Sequence, residues 1–285
     1  MDQEIQSTFR IINNINLHII EAGPSSGPLL IFLHGFPEYW FGWAKYIKYF
    51  AIKGFHVVVP DQRGYNLSDK PKKIGDYANL KLVKDIVYLI KSYSVEKAYI
   101  VGHDWGAAIA WSLGIYYASF VEKLVICNVP HPGVFMKFLK SHRSQLQSSW
   151  YMLFFQLPLI PEFFSKLANN KFLISALKTS TYKFSEKELL QYQQAWNHKG
   201  SLTGMINWYR SMIQSKRIPP KSGSLSMPVL IIWGVKDSAL DYRMAKLSLE
   251  KCKDGKLVYF KDATHWVQHE MQKEIKNLLS EFFIK

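Results

Sequence analysis

Asp104 stands at the centre of Gly102-His103-Asp104-Trp105-Gly106, a Gly-x-X-x-Gly turn. An apolar run, Ala98-Tyr99-Ile100-Val101, precedes it, and an Ala-rich helical run over residues 107–118 follows. A strand, a sharp turn and a helix, with the middle residue raised at the strand's end, make a nucleophile elbow. The two glycines let the backbone fold where a Cβ would collide. Serine is the usual occupant of the centre. A carboxylate there cannot form the acyl-enzyme that serine makes from an ester. It can displace a leaving group at a saturated carbon and become an alkyl ester itself. The rival use of Asp104 is as the N-cap of the helix that follows.

Three further polar residues follow directly on apolar runs: His34 after Leu29–Leu33, Asp237 after Val229–Gly234 and His265 after residues 256–260. Parallel sheets bind ligands at the carboxyl ends of their strands, so these residues and Asp104 share one edge. The chain order nucleophile, acid, histidine is that of the α/β-hydrolases. His265 suits a general base and Asp237 the acid that orients it. Asp237 also fits a helix cap, and His265 a surface loop. Asp241 and Asp262 lie at the wrong offset from their strands to replace Asp237.

The elements that must position these groups are legible as short apolar runs alternating with helical spacing. Asn13-Asn14 turns a hairpin between residues 9–12 and 15–20, since Asn tolerates positive φ. Residues 43–53 read as a helix. His56–Pro60 is a buried strand that leads into Asp61-Gln62-Arg63-Gly64-Tyr65. Asn79 caps a helix over residues 80–92, with Leu82, Val83, Ile86, Leu89 and Ile90 at helical spacing. Val121–Cys127 is a strand ending at Asn128, and residues 271–283 form a closing helix. The rhythm implies a doubly wound, mostly parallel sheet. Residues 131–220 break it: they carry no clear buried strand, are rich in Phe, Tyr, Leu and Lys, and contain Pro158, Pro161, Pro219 and Pro220. They read as a helical cap inserted into a core formed by residues 1–130 and 221–285. The aromatic run 150–164 has two candidate uses, packing over a pocket or lying on a membrane surface. Gln156, Pro158 and Glu162 within it favour the pocket.

At 285 residues and 48% apolar content the chain can bury a sizeable core. The net charge of +14 reads as a solvated lysine-rich surface, because the basic residues are scattered and no nucleic-acid motif accompanies them. Cys127 and Cys252 fit no metal spacing and read as reduced core thiols. Residues 1–10 have no apolar signal core, and no apolar stretch reaches membrane-spanning length. A cytoplasmic location is the expectation.

Taken together, these motifs resemble the epoxide hydrolase branch of the α/β-hydrolases over nearly the whole chain. The stretches that carry the resemblance are His34-Gly35-Phe36-Pro37-Glu38, Asp61-x-Arg63-Gly64-Tyr65, the elbow, Asn128-Val129-Pro130-His131-Pro132, Asn207-Trp208-Tyr209-Arg210 and Thr264-His265-Trp266. Residues 150–158 resemble the family's first lid-tyrosine segment. The Pro-His-Pro at the cap entry resembles the vertebrate enzymes. Asn66 departs from the family's Gly. Since Asn also visits left-handed φ, the turn should survive.

The resemblance implies that Asp104 attacks an epoxide carbon while Tyr151 and Tyr209 donate to the ring oxygen. His265, oriented by Asp237, then activates a water against the Asp104 carbonyl carbon, and the oxyanion sits on the backbone N–H groups of Phe36 and Trp105. His34 and Pro37 would shape the oxyanion turn. His103 and His131 would be structural, Trp105 and Trp266 apolar wall, and Tyr182 and Tyr192 cap packing. A small hydrophobic epoxide and water are the reactants implied, with no metal, organic cofactor or nucleic acid. Monomer and dimer both stay open.

Haloalkane dehalogenases share the fold and the Asp nucleophile, but they need halide donors, often an Asn where this chain has Phe36. Fluoroacetate dehalogenases need an arginine beside the nucleophile, which Trp105 and Ala107 do not supply. A ligand sensor on the same scaffold would usually lack a member of the triad, and here all three are present.

Overall fold

Short apolar runs buried at every position build the centre of the sheet. The computed structural model describes residues 4–214 and 224–284; Pro219, Pro220 and the expected boundary at residues 220 and 221 lie outside them. The strands are β1 (Gln6–Ile12), β2 (Ile15–Ala22), β3 (Leu29–Leu33), β4 (His56–Pro60), β5 (Ala98–His103), β6 (Val121–Cys127), β7 (Val229–Gly234) and β8 (Gly255–Phe260). They form one eight-stranded sheet in the order β1-β2-β4-β3-β5-β6-β7-β8. β1 and β2 pair antiparallel, β2 joins β4 antiparallel, and the six strands from β4 to β8 in the sheet are parallel. The sheet is thus doubly wound and mostly parallel, as the rhythm of apolar runs implies. Asn13 and Asn14 take φ of 50° and 61° at the hairpin, the geometry of a turn that follows the strand twist.

β3 shows why continuous apolar runs become central strands. Leu29, Ile31 and Leu33 enter one apolar cluster while Leu30 and Phe32 enter the other. Both faces are covered, so every position must be apolar. α1 (Ala44–Ile52) lies on one face. α2 (Asn79–Ser92) and α3 (Trp105–Tyr116) lie on the other. Asn79 is the first residue of α2 rather than its cap. Ala78 holds the cap position, and no side chain bonds there. The apolar stripe of α2 is buried as its spacing requires.

Between β6 and β7 the chain leaves the sheet. It forms α4 (Pro132–Ser141), α5 (Arg143–Ser148), α6 (Trp150–Phe154), α7 (Ile160–Leu177), α8 (Glu186–Asn197) and α9 (Ser201–Gln214), with no strand among the described residues. α8 opens on a capping box between Ser185 and Glu188. α7 breaks at Ala168, Asn169 and Asn170, which have φ of 48°, 56° and 63°. α10 (Arg243–Leu249), α11 (Val267–Glu270) and α12 (Gln272–Ile284) complete the chain, and α12 packs beside α1 through Ile275, Leu279 and Phe283. No helix among the described residues is long and apolar enough to cross a membrane. Cys127 is buried, Cys252 half-buried, and neither forms a disulfide. Burial pushes both thiols up to about 12, which leaves them unreactive.

Two indoles tie the helical excursion to the sheet's loops. Trp196 Nε1–H donates to the Pro37 carbonyl, and Trp208 Nε1–H donates to the Arg63 carbonyl at 2.9 Å. Inside the excursion Arg210 makes a buried two-nitrogen contact with Glu162 at 2.6 and 3.0 Å, a geometry that fixes orientation. Below the excursion, Arg63 after β4 grips Asp85 of α2 through two bonds of 2.7 Å.

Candidate active site

Asp104 occupies the N-cap position of α3, yet its side chain makes no cap bond. Its backbone sits at φ 49° and ψ −123°, a region that stores about 1–3 kcal/mol of strain in a non-glycine residue. The strain aims the carboxylate away from its own helix. Oδ1 accepts the Phe36 N–H at 2.7 Å, and Oδ2 lies 3.5 Å from His265 Nε2. The flanking glycines are required by close packing. A Cβ on Gly102 would fall 2.5 Å from the Gly106 carbonyl oxygen, and one on Gly106 would fall 2.2 Å from the Leu33 carbonyl oxygen. Gly35 is equally constrained, since its Cβ would lie 2.3 Å from that of Asp104.

Asp237 serves both uses that the sequence left open. Its Oδ1 caps the following turn, accepting the N–H groups of Ala239 and Leu240 at 2.8 and 2.9 Å. Its Oδ2 meets His265 Nδ1 at 2.8 Å. Asn128, to which the sequence assigned no role, donates from Nδ2 to that same Oδ2 at 2.8 Å. Asn128 ends β6 with φ 54°, and its Oδ1 accepts the Gly234 N–H at 3.1 Å. An Asn directly after an apolar strand run, where its tolerance of left-handed backbone suits a turn, was the signal available in the sequence. Asp241 and Asp262 are paired with Arg243 and Lys236 instead.

Burial alone would lower the proton affinity of His265. The carboxylates of Asp237 and Asp104 outweigh it and raise its pKa to about 10. Burial would raise Asp104, but His265, His103 and the Phe36 N–H hold it below the ordinary carboxylate value. At neutral pH the two groups form an imidazolium–carboxylate pair.

His103, on the turn itself, supports the base from behind. Its Nε2 is 2.8 Å from the His265 carbonyl oxygen, and its Nδ1 meets Gln268 Nε2 at 3.0 Å. Beneath it lies Glu38, fully buried, which takes His269 at 2.6 Å, the Tyr192 hydroxyl at 2.8 Å and Gln268 at 2.8 Å. Burial disfavours this charge, but the two histidines hold its carboxyl well below the usual range. His34 is buried and neutral. Nδ1 contacts the Gly35 carbonyl oxygen at 3.1 Å and Nε2 accepts the Gln62 N–H at 3.0 Å, which fixes the tautomer. Phe36 and Pro37 are joined by a cis peptide. His131 caps α4, accepting the Gly133 N–H at 3.1 Å. Asn66 takes φ 39° and donates to Asp61 at 2.7 Å, so this turn keeps its shape without Gly.

The excursion brings Tyr151 from α6 and Tyr209 from α9 together, with ring centroids 5.9 Å apart. Tyr209 also stands edge-on to Phe36 and Trp105 at 5.3 and 5.0 Å. Burial first, then the Asp104 charge, pushes both phenols above their ordinary value. The Trp105 ring packs edge-on against Tyr209 and Trp208. Trp266 differs. Its ring meets His265 at 5.5 Å, while its N–H donates to the Ala176 carbonyl and Thr179 Oγ1 at 3.1 and 2.9 Å. It anchors the end of α7 to the loop that carries the base. Tyr182 and Tyr192 bond Glu188 and Glu38, outside the cluster around Asp104.

A family model described as alpha/beta hydrolase fold matches residues 28–271. The chain is 38% identical to the AB hydrolase superfamily protein YfhM of Bacillus subtilis, over 98% of each chain. It is 34% identical to Epoxide hydrolase 2 of Caenorhabditis elegans, over 96% of this chain and 78% of that one. A crystal structure of a Bacillus megaterium epoxide hydrolase in complex with an inhibitor superposes with a TM-score of 0.89 at 31% identity, covering 98% of this chain and 100% of that one.

Proposed function

Because the chain belongs to the epoxide hydrolases of the α/β-hydrolase superfamily, we propose that it converts a hydrophobic epoxide to a vicinal diol through an alkyl ester on Asp104. The observation that carries this is the aim of the Asp104 carboxylate. It declines the cap bond its position offers and faces His265 beneath two buried phenols.

Asp104 attacks a ring carbon, and the breaking C–O bond leaves its electron pair on oxygen. A phenol of Tyr151 or Tyr209 supplies the proton, and burial keeps both phenols protonated until then. Esterification removes the Asp104 charge, so the His265 imidazolium holds its proton less tightly. That proton restores the phenol. Neutral His265, steered by Asp237, then takes a proton from water, whose oxygen adds to the carbonyl carbon of residue 104. The Phe36 N–H is already directed at this carboxyl group. The Trp105 N–H, at the first position of α3, lacks an intrahelical acceptor and completes the oxyanion site. Collapse releases the diol and returns both the carboxylate and the imidazolium. Helices α4–α9 act as the cap, and their aromatic inner face suits an apolar substrate.

The haloalkane dehalogenase reading gains nothing from the geometry, because position 36 offers a backbone N–H and a ring packed on Tyr209 rather than a side-chain halide donor. The sensor reading is opposed by the 2.8 Å contact between Asp237 and His265. Styrene oxide set against 1-bromobutane tests the choice. Diol without bromide is expected, and bromide release would reverse it. In single turnover with heavy-oxygen water, the label should enter Asp104 before it reaches product.

A further inference from the structure

The inner side of α6 reaches the site through Tyr151, Met152 and Phe155, which cluster with Tyr209. The outer side of α6 and the first half of α7 does the opposite. Trp150 is 57% exposed, Leu153 64%, Leu159 78% and Phe163 62%, and Phe164 and Leu167 are exposed as well. The half-buried Phe154 links the exposed rings into one aromatic surface. Trp150 meets Phe154 at 6.0 Å, Phe154 meets Phe164 at 6.2 Å, and Phe164 meets Phe163 at 5.8 Å. Leu159, the most exposed of the group, is held in left-handed backbone at φ 62°. The aromatic run is therefore only half used in packing. Contiguous exposed apolar surface on this scale marks an interaction site.

Its charge says what the surface meets. Residues 131–185 carry seven Lys and Arg and a single carboxylate, Glu162. Glu162 is buried and already neutralised by Arg210. Lys137, Lys140, Arg143, Lys166, Lys171 and Lys178 are exposed. Lys166 sits between Phe164 and Leu167 on the same helix. Two copies pressed together through this face would bring two uncompensated cationic fields into contact. An apolar face on a segment whose exposed charged side chains are all cationic instead matches a leaflet with anionic headgroups, into which aromatic and leucine side chains insert while lysines meet the phosphates.

We propose that this face of the helical excursion, centred on Trp150, Leu153, Leu159 and Phe163, docks the protein on an anionic lipid bilayer. Binding does not require turnover, so it is separable from the reading of Asp104.

The full chain is to be sedimented with phosphatidylcholine vesicles, with and without phosphatidylglycerol. The partition coefficient should rise by at least about tenfold with the anionic lipid and fall again in molar salt. Asp104→Asn should bind as the wild type does. The double variant Leu159→Ser, Phe163→Ser should lose vesicle binding while keeping its melting temperature and its activity on a water-soluble epoxide. Lys166→Glu with Lys171→Glu should remove the preference for phosphatidylglycerol. Absence of vesicle binding by the folded wild type overturns the proposal, as does equal binding by the Leu159, Phe163 variant. A wild-type dimer that the same substitutions split, without vesicle binding, assigns the face to a second copy and also overturns it.

Discussion

The Asn128 amide donates to Asp237 Oδ2 at 2.8 Å, on the very oxygen that His265 Nδ1 contacts at the same distance. Two groups from neighbouring strand ends thus converge on one atom at the end of a third, and the buried carboxylate has four donors in all. A carboxylate held in this way cannot rotate to follow the imidazole; the imidazole must come to it.

Asn128→Ala removes one charge-assisted bond and should slow release of the ester more than its formation. Loss of a bond to a charged group corresponds to about 10- to 100-fold in rate. Rapid-quench kinetics should then show a burst of esterified enzyme followed by slow turnover. Equal slowing of both steps would reduce Asn128 to a structural role.

His265→Gln keeps a polar side chain of similar reach but has no base. It should form the ester and stall, leaving a protein mass increase equal to that of the substrate. Asp104→Asn should show neither the increase nor turnover. Normal turnover by the glutamine variant would remove His265 from the mechanism.

Tyr209→Phe should slow ring opening by about 10²-fold or more, as removal of a positioned proton donor does. Tyr151→Phe should act on the same step, and the double variant should nearly abolish it. Because each tyrosine packs mainly through its ring, the phenylalanine variants should melt within a few degrees of the wild type.

The pH dependence follows from the ion pair. The pKa of His265 is about 10 in the folded protein, against about 6.5 unfolded. Its contribution to stability is full below the unfolded value and is lost as pH rises toward 10. The depressed Asp104 pKa works in the other direction: its contribution is present above the unfolded carboxylate value and is lost in acid. The difference in melting temperature between wild type and His265→Gln should therefore shrink steadily from pH 7 to pH 10. The turnover number kcat should decline over the same alkaline range, since restoring the phenol after ring opening draws on the imidazolium proton. A His265 titration by NMR in Asp104→Asn should sit below the wild-type value.

Gly35→Ala should cripple the enzyme, because the new Cβ would come within 2.3 Å of the Asp104 Cβ and 2.5 Å of its Oδ1. Either the elbow or the Phe36 N–H must move. Gly75→Ala is the matched control. Nothing lies within 4 Å of its Cβ position, so stability should change by no more than about 0.5 kcal/mol.

Much of the architecture was legible because central parallel strands must be apolar at every position. Leu29–Leu33, His56–Pro60, Val121–Cys127 and Val229–Gly234 appear in the sequence with the ends they have in the fold. Asp104 was legible for a related reason: two glycines four positions apart, between a strand pattern and a helix pattern, leave the chain one compact way to turn. Asn79 misled because an amide beside a helical stripe resembles a cap, whereas the helix had already begun at that residue.

What the sequence determined by itself is therefore whatever is enforced locally: the strands, the elbow, and the order in which acid and base follow it. The tertiary structure decided what depends on partners distant in the chain. Asn128 is ordinary until Asp237 and Thr264 are folded against it. Tyr151 faces inward and its neighbour Trp150 outward because α9 covers one side of α6 and leaves the other bare. A short helix rich in apolar residues has no stripe from which to read its buried face; that choice falls to the surfaces that pack around it.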